Sequence, residues 1–354
     1  MRNRIEALRN LFSSKNLDGY ITINEKNMHY LTGFLGGSIL LIPQEQESVL
    51  FVFGVNFEAA KLQTQNARVE LVRTGEDSVK KIAEKINGLK LRRVGFDSLK
   101  ASTHLNTKEL LKETELESAE DMVWTLRKVK DENELASMKR AAELTSLGMK
   151  EASETVRAGL TEREVAAEIE YVMRKSGSDG VAFDTLLSSG PNSAFPHGGC
   201  GDRIIKEGDL VVVDIGAKFQ GYCNDLTRTF IVGKPSLKQS KIYEAVAKAQ
   251  DMALKKIKAG CEAKEVDRVA REQIEKAGYG EYFVHSLGHG VGLDIHEPPT
   301  LGPVSKDILA SGNVVTVEPG IYLSVFGGVR IEDTVLVLDE EAKKLIEAPI
   351  FSSV

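Results

Sequence analysis

Four carboxylates and one histidine of this chain sit inside short runs that otherwise look like buried strands. They are Asp214 in VVVDIG, Asp225 in YCNDLTRTF, His289 in HSLGHGVGLDIHE, Glu318 in TVEPG and Glu332 in GVRIED. A charge buried without a partner is costly, so a fold that takes in all five must bring them to something that compensates them. One such Asp is ordinarily an edge or turn residue, but five together in apolar company point to cations. Oxygen-rich ligation with a single nitrogen suits a pair of hard or borderline divalent ions such as Mn²⁺, Co²⁺ or Zn²⁺. Four anionic side chains balance two such ions, and two metals sharing carboxylates generate a nucleophile at neutral pH. The residue set predicts a metallohydrolase.

The spacing adds to this. Residues 209–217 (DLVVVDIGA) and 221–231 (GYCNDLTRTFI) are β-branched and apolar, separated by KFQ, which signals a hairpin. With Phe219 and Gln220 as the turn, 218 pairs with 221, 216 with 223 and 214 with 225. Side chains repeat every two residues along a strand, so Asp214 and Asp225 are expected opposite each other on one face, where they repel unless a cation lies between them. Glu318 and Glu332 are symmetric about Val325, which permits a second antiparallel pair, although Pro319 and Gly320 interrupt that run. The same parity turns Arg330 towards the metal side, to bind a carboxylate or anchor Asp225, and makes Thr227 a donor behind the ligands. Cys223 shares the face of Asp225; packing is its expected role, because a free Cys behaves as a small apolar residue.

Other features bound the function. The 354 residues suffice for one large or two moderate domains. A net charge of −6 without a basic tract argues against a nucleic-acid partner. Cys200, Cys223 and Cys261 show no CxxC spacing, so neither a zinc knuckle nor a disulfide framework is expected. The opening MRNRIEALRNLFSSKN is amphipathic and not signal-like, and no run has the apolar length to span a bilayer. The expectation is a cytoplasmic protein with no membrane partner.

Residues 1–122 alternate helix-like and strand-like stretches, the rhythm of an α/β domain with a small mixed sheet. Strands are expected in DGYITI, GGSILLI, SVLFVFG and RRVGFD, and helices at 76–88 and about 100–113. Residues 123–130 are expected to link into long helices. Thr161 and Glu164 form a capping-box pattern, strands dominate from 182, and helices are expected at about 237–258 and 264–276. Antiparallel strands covered by helices make 131–354 an α+β domain.

These segments resemble the pita-bread metallopeptidases, the family of methionine aminopeptidase, aminopeptidase P, prolidase and creatinase. SLGHGVGLDIHE and FDTLLSSGPNSAFPHGG carry the likeness to the Xaa-Pro peptidase branch, and NMHYLTGF resembles the creatinase-like N-terminal domain that methionine aminopeptidases lack. The resemblance implies a C-terminal pita-bread catalytic domain preceded by a smaller α/β creatinase-like domain. It implies two divalent ions, Mn²⁺ foremost, with Asp214 on one, Asp225 and Glu332 bridging, and His289 and Glu318 on the other. All five being present sets the chain apart from creatinase and from binding-only relatives, although a non-catalytic peptide-binding module is the rival from another class.

The same resemblance gives the histidines roles. His197 in PHGG resembles the histidine beside the scissile amide, His296 the one that meets the carbonyl or oxyanion, and His285 a further histidine lining the site; Glu318 would also move the proton. Short proline-containing peptides are the implied substrates, and a homodimer is implied because the family's N-terminal domain lies over a partner's site. One departure is that HEPPTLGPVSKD has Thr300 where several prolidases carry an Arg for a dipeptide's carboxylate. That shifts the expectation towards aminopeptidase P-like action on longer Xaa-Pro peptides.

Overall fold

The strand-like runs near the start of the chain build one mixed sheet. The computed structural model describes residues 3–346 and 348, and the chain divides into two units, one ending at Arg127 and the other beginning at Lys128. The first unit contains α1 (Arg4–Arg9), β1 (Gly19–Thr22), α2 (Glu25–Thr32), β2 (Ile39–Pro43), β3 (Val49–Phe53) and α3 (Gly54–Gln63). It continues with β4 (Arg68–Val72), α4 (Ser78–Gly88), β5 (Arg93–Phe96), α5 (Ala101–Leu110), β6 (Glu115–Ser118) and α6 (Glu120–Arg127). The six strands lie in the order β4-β3-β2-β1-β5-β6, with β1, β2 and β3 antiparallel and the other pairings parallel. The stretch expected as a linker, 123–130, is helical through Arg127.

The second unit opens on two helices, α7 (Glu132–Thr155) and α8 (Glu162–Lys175). Each starts with a complete capping box, Asp131 with Glu134 and the expected Thr161 with Glu164, which satisfies backbone donors that a helix start leaves open. Gly148 lets the two helices approach: a Cβ there would lie 2.7 Å from Cγ of Met173. There follow β7 (Gly180–Val181), β8 (Leu186–Ser189), β9 (Leu210–Ile215), β10 (Ala217–Phe219), β11 (Tyr222–Cys223) and β12 (Leu226–Ile231). Strands β12-β9-β8 form one antiparallel sheet and β11-β10-β7 a smaller one.

The rest of the unit repeats the plan. Helices α9 (Leu237–Lys256) and α10 (Ala263–Lys276) precede β13 (Gly288–Gly290), β14 (Glu297–Leu301), β15 (Val314–Val317), β16 (Gly320–Leu323), β17 (Gly327–Arg330), β18 (Asp333–Val337) and β19 (Ala342–Lys344). Strands β14-β13-β15-β18-β19 make a five-stranded sheet, and β16 pairs with β17.

Two apolar cores dictate which way the acid-bearing strands face. Val211, Val213 and Ile215 of β9 and Phe230 of β12 pack with Val165 and Ile169 of α8. Val315 and Val317 of β15 and Val335 of β18 pack with Val246 of α9 and Ala270 of α10. Each such side chain contributes roughly 1.5–3 kcal/mol when fully buried. Because strand side chains alternate, fixing these residues against the helices turns Asp214, Asp225, Glu318 and Glu332 to the opposite faces. The two halves thus present their acids to each other.

Candidate metal centre

Asp214 lies in the buried run of β9 and Asp225 in the short break before β12. Their hairpin does not have the expected register. Asp214 pairs with Thr227, and Lys218 pairs with Cys223, so Gln220 and Gly221 form the turn. Both have positive φ, 51° and 80°, the two-residue turn whose twist matches that of the flanking strands. The slip is two residues, so parity is kept: Asp225 shares the face of Asp214 on the diagonal, and Thr227 stands directly opposite. In the second half the expected symmetry holds. Val317 pairs with Asp333 and Gly320 with Arg330, both centred on Val325, which brings Glu318 opposite Glu332. Pro319 divides the ladder into two pairs of strands without changing its register.

His289 occupies the middle of β13. Its Nδ1 lies 3.0 Å from the Gly290 carbonyl, an acceptor, so Nδ1 donates there and Nε2 faces the acids. Nε2 carries the proton that Glu318 accepts when no cation is bound, and would offer its lone pair to a cation that displaces that proton. Nε2 points at Glu318 Oε1 (3.3 Å) and Asp225 Oδ2 (3.7 Å). Suitable atoms of Asp225, His289 and Glu332 lie within 4.8 Å of one another. The remaining two acids are held nearby, Asp214 by Arg330 and Glu318 by a 3.1 Å hydrogen bond from Thr316.

Arg330 is the hub behind the ligands. Its Nε donates to Thr227 Oγ1 (3.1 Å), and its terminal nitrogens donate to the Tyr322 hydroxyl (2.8 Å) and Asp214 Oδ2 (2.6 Å). Thr227 in turn donates to Glu332 Oε2 at 2.6 Å. Arg330 faces the acids, as parity suggested, and the acid it anchors is Asp214 and not the expected Asp225.

The electrostatics are those of a cation site. Burial, reinforced by the neighbouring carboxylates, pushes Asp225 and Glu332 well above the ordinary carboxylate range. Burial works the same way on Glu318, but the hydrogen bond and charge of His289 outweigh it and hold Glu318 down to about 2. Asp214 Oδ1, Asp225 Oδ1 and Glu332 Oε1 are buried without a hydrogen-bond partner among the described residues. Buried polar atoms are ordinarily satisfied. Three orphaned carboxylate oxygens beside an imidazole nitrogen fit hard or borderline divalent ions.

Asp214, Asp225, His289, Glu318 and Glu332 form one wall of a cavity of about 420 Å³, a volume suited to a small ligand. His197, His285, His296 and Thr300 also line it. His197 is carried by the loop between β8 and β9, and His296 by the segment between β13 and β14, its ring 4.2 Å from that of His289. Burial first, then the proximity of His289, lowers the pKa of His296. His285 is different. Its Nδ1 faces the Ser286 carbonyl (2.8 Å) and its Nε2 the Tyr322 hydroxyl (2.9 Å), so both nitrogens are engaged within the protein. Tyr322, which the sequence reading did not single out, links His285 to Arg330. Cys223 is buried, as expected of a packing residue.

The family model "Metallopeptidase family M24" matches residues 136–339. The chain belongs to this family. The model "Creatinase/Prolidase N-terminal domain" matches residues 4–129 of the same M24 chain. Over 347 residues this M24 metallopeptidase is 39% identical to the Xaa-Pro dipeptidase of Pyrococcus furiosus, covering 98% of each. Among solved structures it is similar to an Xaa-Pro dipeptidase from Bacillus anthracis (TM-score 0.95, 35% identity, 99% of each chain covered). It is also similar to an X-Pro aminopeptidase from Thermotoga maritima (TM-score 0.87, 36% identity, 96% of this chain and 98% of that one).

Proposed function

We propose that this M24 metallopeptidase hydrolyses the Xaa-Pro bond at the amino end of short peptides, using two divalent ions held by Asp214, Asp225, His289, Glu318 and Glu332. Mn²⁺ is the first choice, with Co²⁺ and Zn²⁺ as alternatives. The observation that carries the reading is the convergence of three orphaned carboxylate oxygens and Nε2 of His289 on a cavity that also presents His197 and His296. The Xaa-Pro part is supported by the relatives in Pyrococcus furiosus, Bacillus anthracis and Thermotoga maritima.

When bound, such ions supply an activated water and polarise the scissile carbonyl. The protein's own groups do the rest. Glu318, ionised at neutral pH, accepts the proton and passes it to the leaving nitrogen. His296, kept neutral by burial, donates an N–H to the carbonyl oxygen as charge develops there. His197 stands beside the scissile amide. Phe183, Leu186, Pro196 and Ile295 give the cavity apolar walls that suit a proline ring, which has no N–H and a fixed φ. His285 acts through Tyr322, keeping the phenol that braces Arg330.

Substrate length follows from Arg330. Its three nitrogens are committed to Thr227, Tyr322 and Asp214, and Thr300 lines the cavity without a charge. Among the described residues lining the cavity Arg330 is the one arginine, and these contacts hold its guanidinium against Asp214 and not towards a dipeptide's carboxylate. Xaa-Pro-Yaa tripeptides are therefore expected to be cleaved at least as well as Xaa-Pro dipeptides. The stricter dipeptidase reading is favoured by the name of the Pyrococcus furiosus relative. Matched di- and tripeptides assayed with Mn²⁺, Co²⁺ and Zn²⁺ decide between them. A kcat/KM for dipeptides more than about tenfold higher restores the dipeptidase, a difference of about 1.4 kcal/mol in transition-state binding.

We also infer a cytoplasmic homodimer. In it, residues 131–354 are the catalytic domain and residues 1–122 limit the partner's site to short peptides. Sedimentation of the active enzyme tests this, and an active monomer would overturn it.

A further inference from the structure

The start of α7 reaches the segment that carries His296. Lys130, one residue before the capping Asp131, places its Nζ 2.6 Å from Glu297 Oε1, and both side chains are 1% exposed. The lysine is fixed at its own end as well: its backbone N–H donates to Gly312 O at 2.9 Å, and the capping box sets the backbone that follows. The carboxylate lies against Gly292, where a Cβ would come within 2.5 Å of Glu297 Oε1. Gly292 O in turn accepts from Cys223 N at 2.8 Å, two residues from Asp225.

Glu297 is the first residue of β14 and follows His296 directly. Glu297 is buried while His296, the last residue of the bend that leads into β14, is exposed to the cavity, so an anchor on Glu297 fixes the end of the bend that carries His296. A buried ion pair is a demanding device, since removing one partner leaves a charge without compensation. Lys130 touches none of the reacting groups named above, and the proposed mechanism does not use it.

We propose that Lys130 is a positioning residue which sets the orientation of His296 through its buried ion pair with Glu297. This rests on the reading of His296 as the group that meets the reacting carbonyl.

The test is a double-mutant cycle on an Xaa-Pro-Yaa tripeptide, with Lys130→Met and Glu297→Gln made alone and in a His296→Ala background. Metal content, melting temperature and hydrogen exchange of residues 291–297 are measured on the same preparations. Lys130→Met should lower kcat by about tenfold with KM within about twofold, the scale of a small misplacement of a catalytic group. In the His296→Ala background the same substitution should change kcat less than about twofold, because coupled residues are not additive. Metal content should hold, exchange in 291–297 should quicken, and Lys130→Arg should recover most of the activity.

An unchanged kcat in Lys130→Met would overturn the proposal, and so would a tenfold loss that persists undiminished without His296. If Lys130→Met does not accumulate as folded protein, Glu297→Gln is judged by the same two criteria. Full activity in His296→Ala alone would overturn it too, while the wild-type assay separately decides whether the chain is an Xaa-Pro peptidase.

Discussion

The two halves of the catalytic unit use the same parts and stabilise them differently. Each half has a helix pair and an antiparallel hairpin with two acids on its inner face; the first adds one cavity histidine, His197, and the second adds three, His285, His289 and His296. In the first half the turn decides the register: Gln220 and Gly221 adopt left-handed backbone, and the ladder from Asp214 to Thr227 follows from it. In the second half the ladder keeps its register through the break at Pro319, although Val325 at its turn has a φ of 69° that a β-branched residue rarely takes. The restraints on the acids also cross over. Arg330 of the second half holds Asp214 of the first, and Thr227 of the first holds Glu332 of the second. The lesson is that the seam between the halves, more than either hairpin, places the acids.

The largest way to break this comparison is Asp225→Asn. It removes a carboxylate at the seam with an orphaned oxygen and His289 as its neighbour, and hydrolysis should be abolished. Near wild-type activity in that variant would show that the first half is dispensable to the metals.

His197→Ala and His296→Ala come next. Each should lower kcat by about 10²-fold or more with metal content intact, the loss expected for one transition-state contact. Loss of metal in His296→Ala would make it a ligand, and the halves would no longer correspond.

Much of this was legible in the chain because two rules survive local errors. Parity along strands placed Asp214, Asp225, Arg330 and Thr227 on the site side even though the first hairpin is slipped by two residues. Symmetry about Val325 permitted the second hairpin, and the structure has that register on both sides of Pro319. The choice between Phe219–Gln220 and Gln220–Gly221 as the turn was the error, and Gly221 was the missed signal, since two-residue turns favour glycine in left-handed backbone. Helix α2 went unread because eight residues are short for a periodicity argument, although Asn24 and Gly33 cap it. Tyr322 was findable: it lies an even number of residues from Glu318, and its strand pairs with the one that ends in Arg330. The His285–Tyr322 contact and the Lys130–Glu297 pair were not findable, because both join residues far apart in the chain.

The electrostatics of the seam can be sharpened by pH. In chelated protein, Asp225 and Glu332 are raised above their ordinary 3.8 and 4.5, and His289 is raised above 6.5. Groups with raised folded values contribute stability below the unfolded pKa and lose it as pH rises. The depressed Glu318 acts oppositely, but only as pH falls below 4.5 towards about 2. The stability of chelated enzyme, measured by chemical denaturation, should therefore fall as pH rises from about 4.5 towards about 6, by roughly 1.4 kcal/mol per pH unit for each retained proton, before the lowered His285 and His296 act oppositely near 6.5. Saturating Mn²⁺ should flatten the slope. A chelated profile that rises across that range would contradict the carboxylate clustering.

The smallest effects lie at the turns. Gly221→Ala should cost about 1–2 kcal/mol, and Val325→Asn should gain about 1 kcal/mol by relieving left-handed strain. Chemical denaturation measures both. Equal and opposite outcomes would reverse the contrast between the two hairpins.

The central claim is that the five residues of the seam hold two divalent ions needed for hydrolysis. Exhaustive chelation followed by titration with Mn²⁺, with bound metal and peptide hydrolysis read on the same samples, tests it most directly. Activity should vanish on chelation and return as binding approaches two ions per chain. Full activity in metal-free protein, or recovery without any bound divalent ion, would contradict the account.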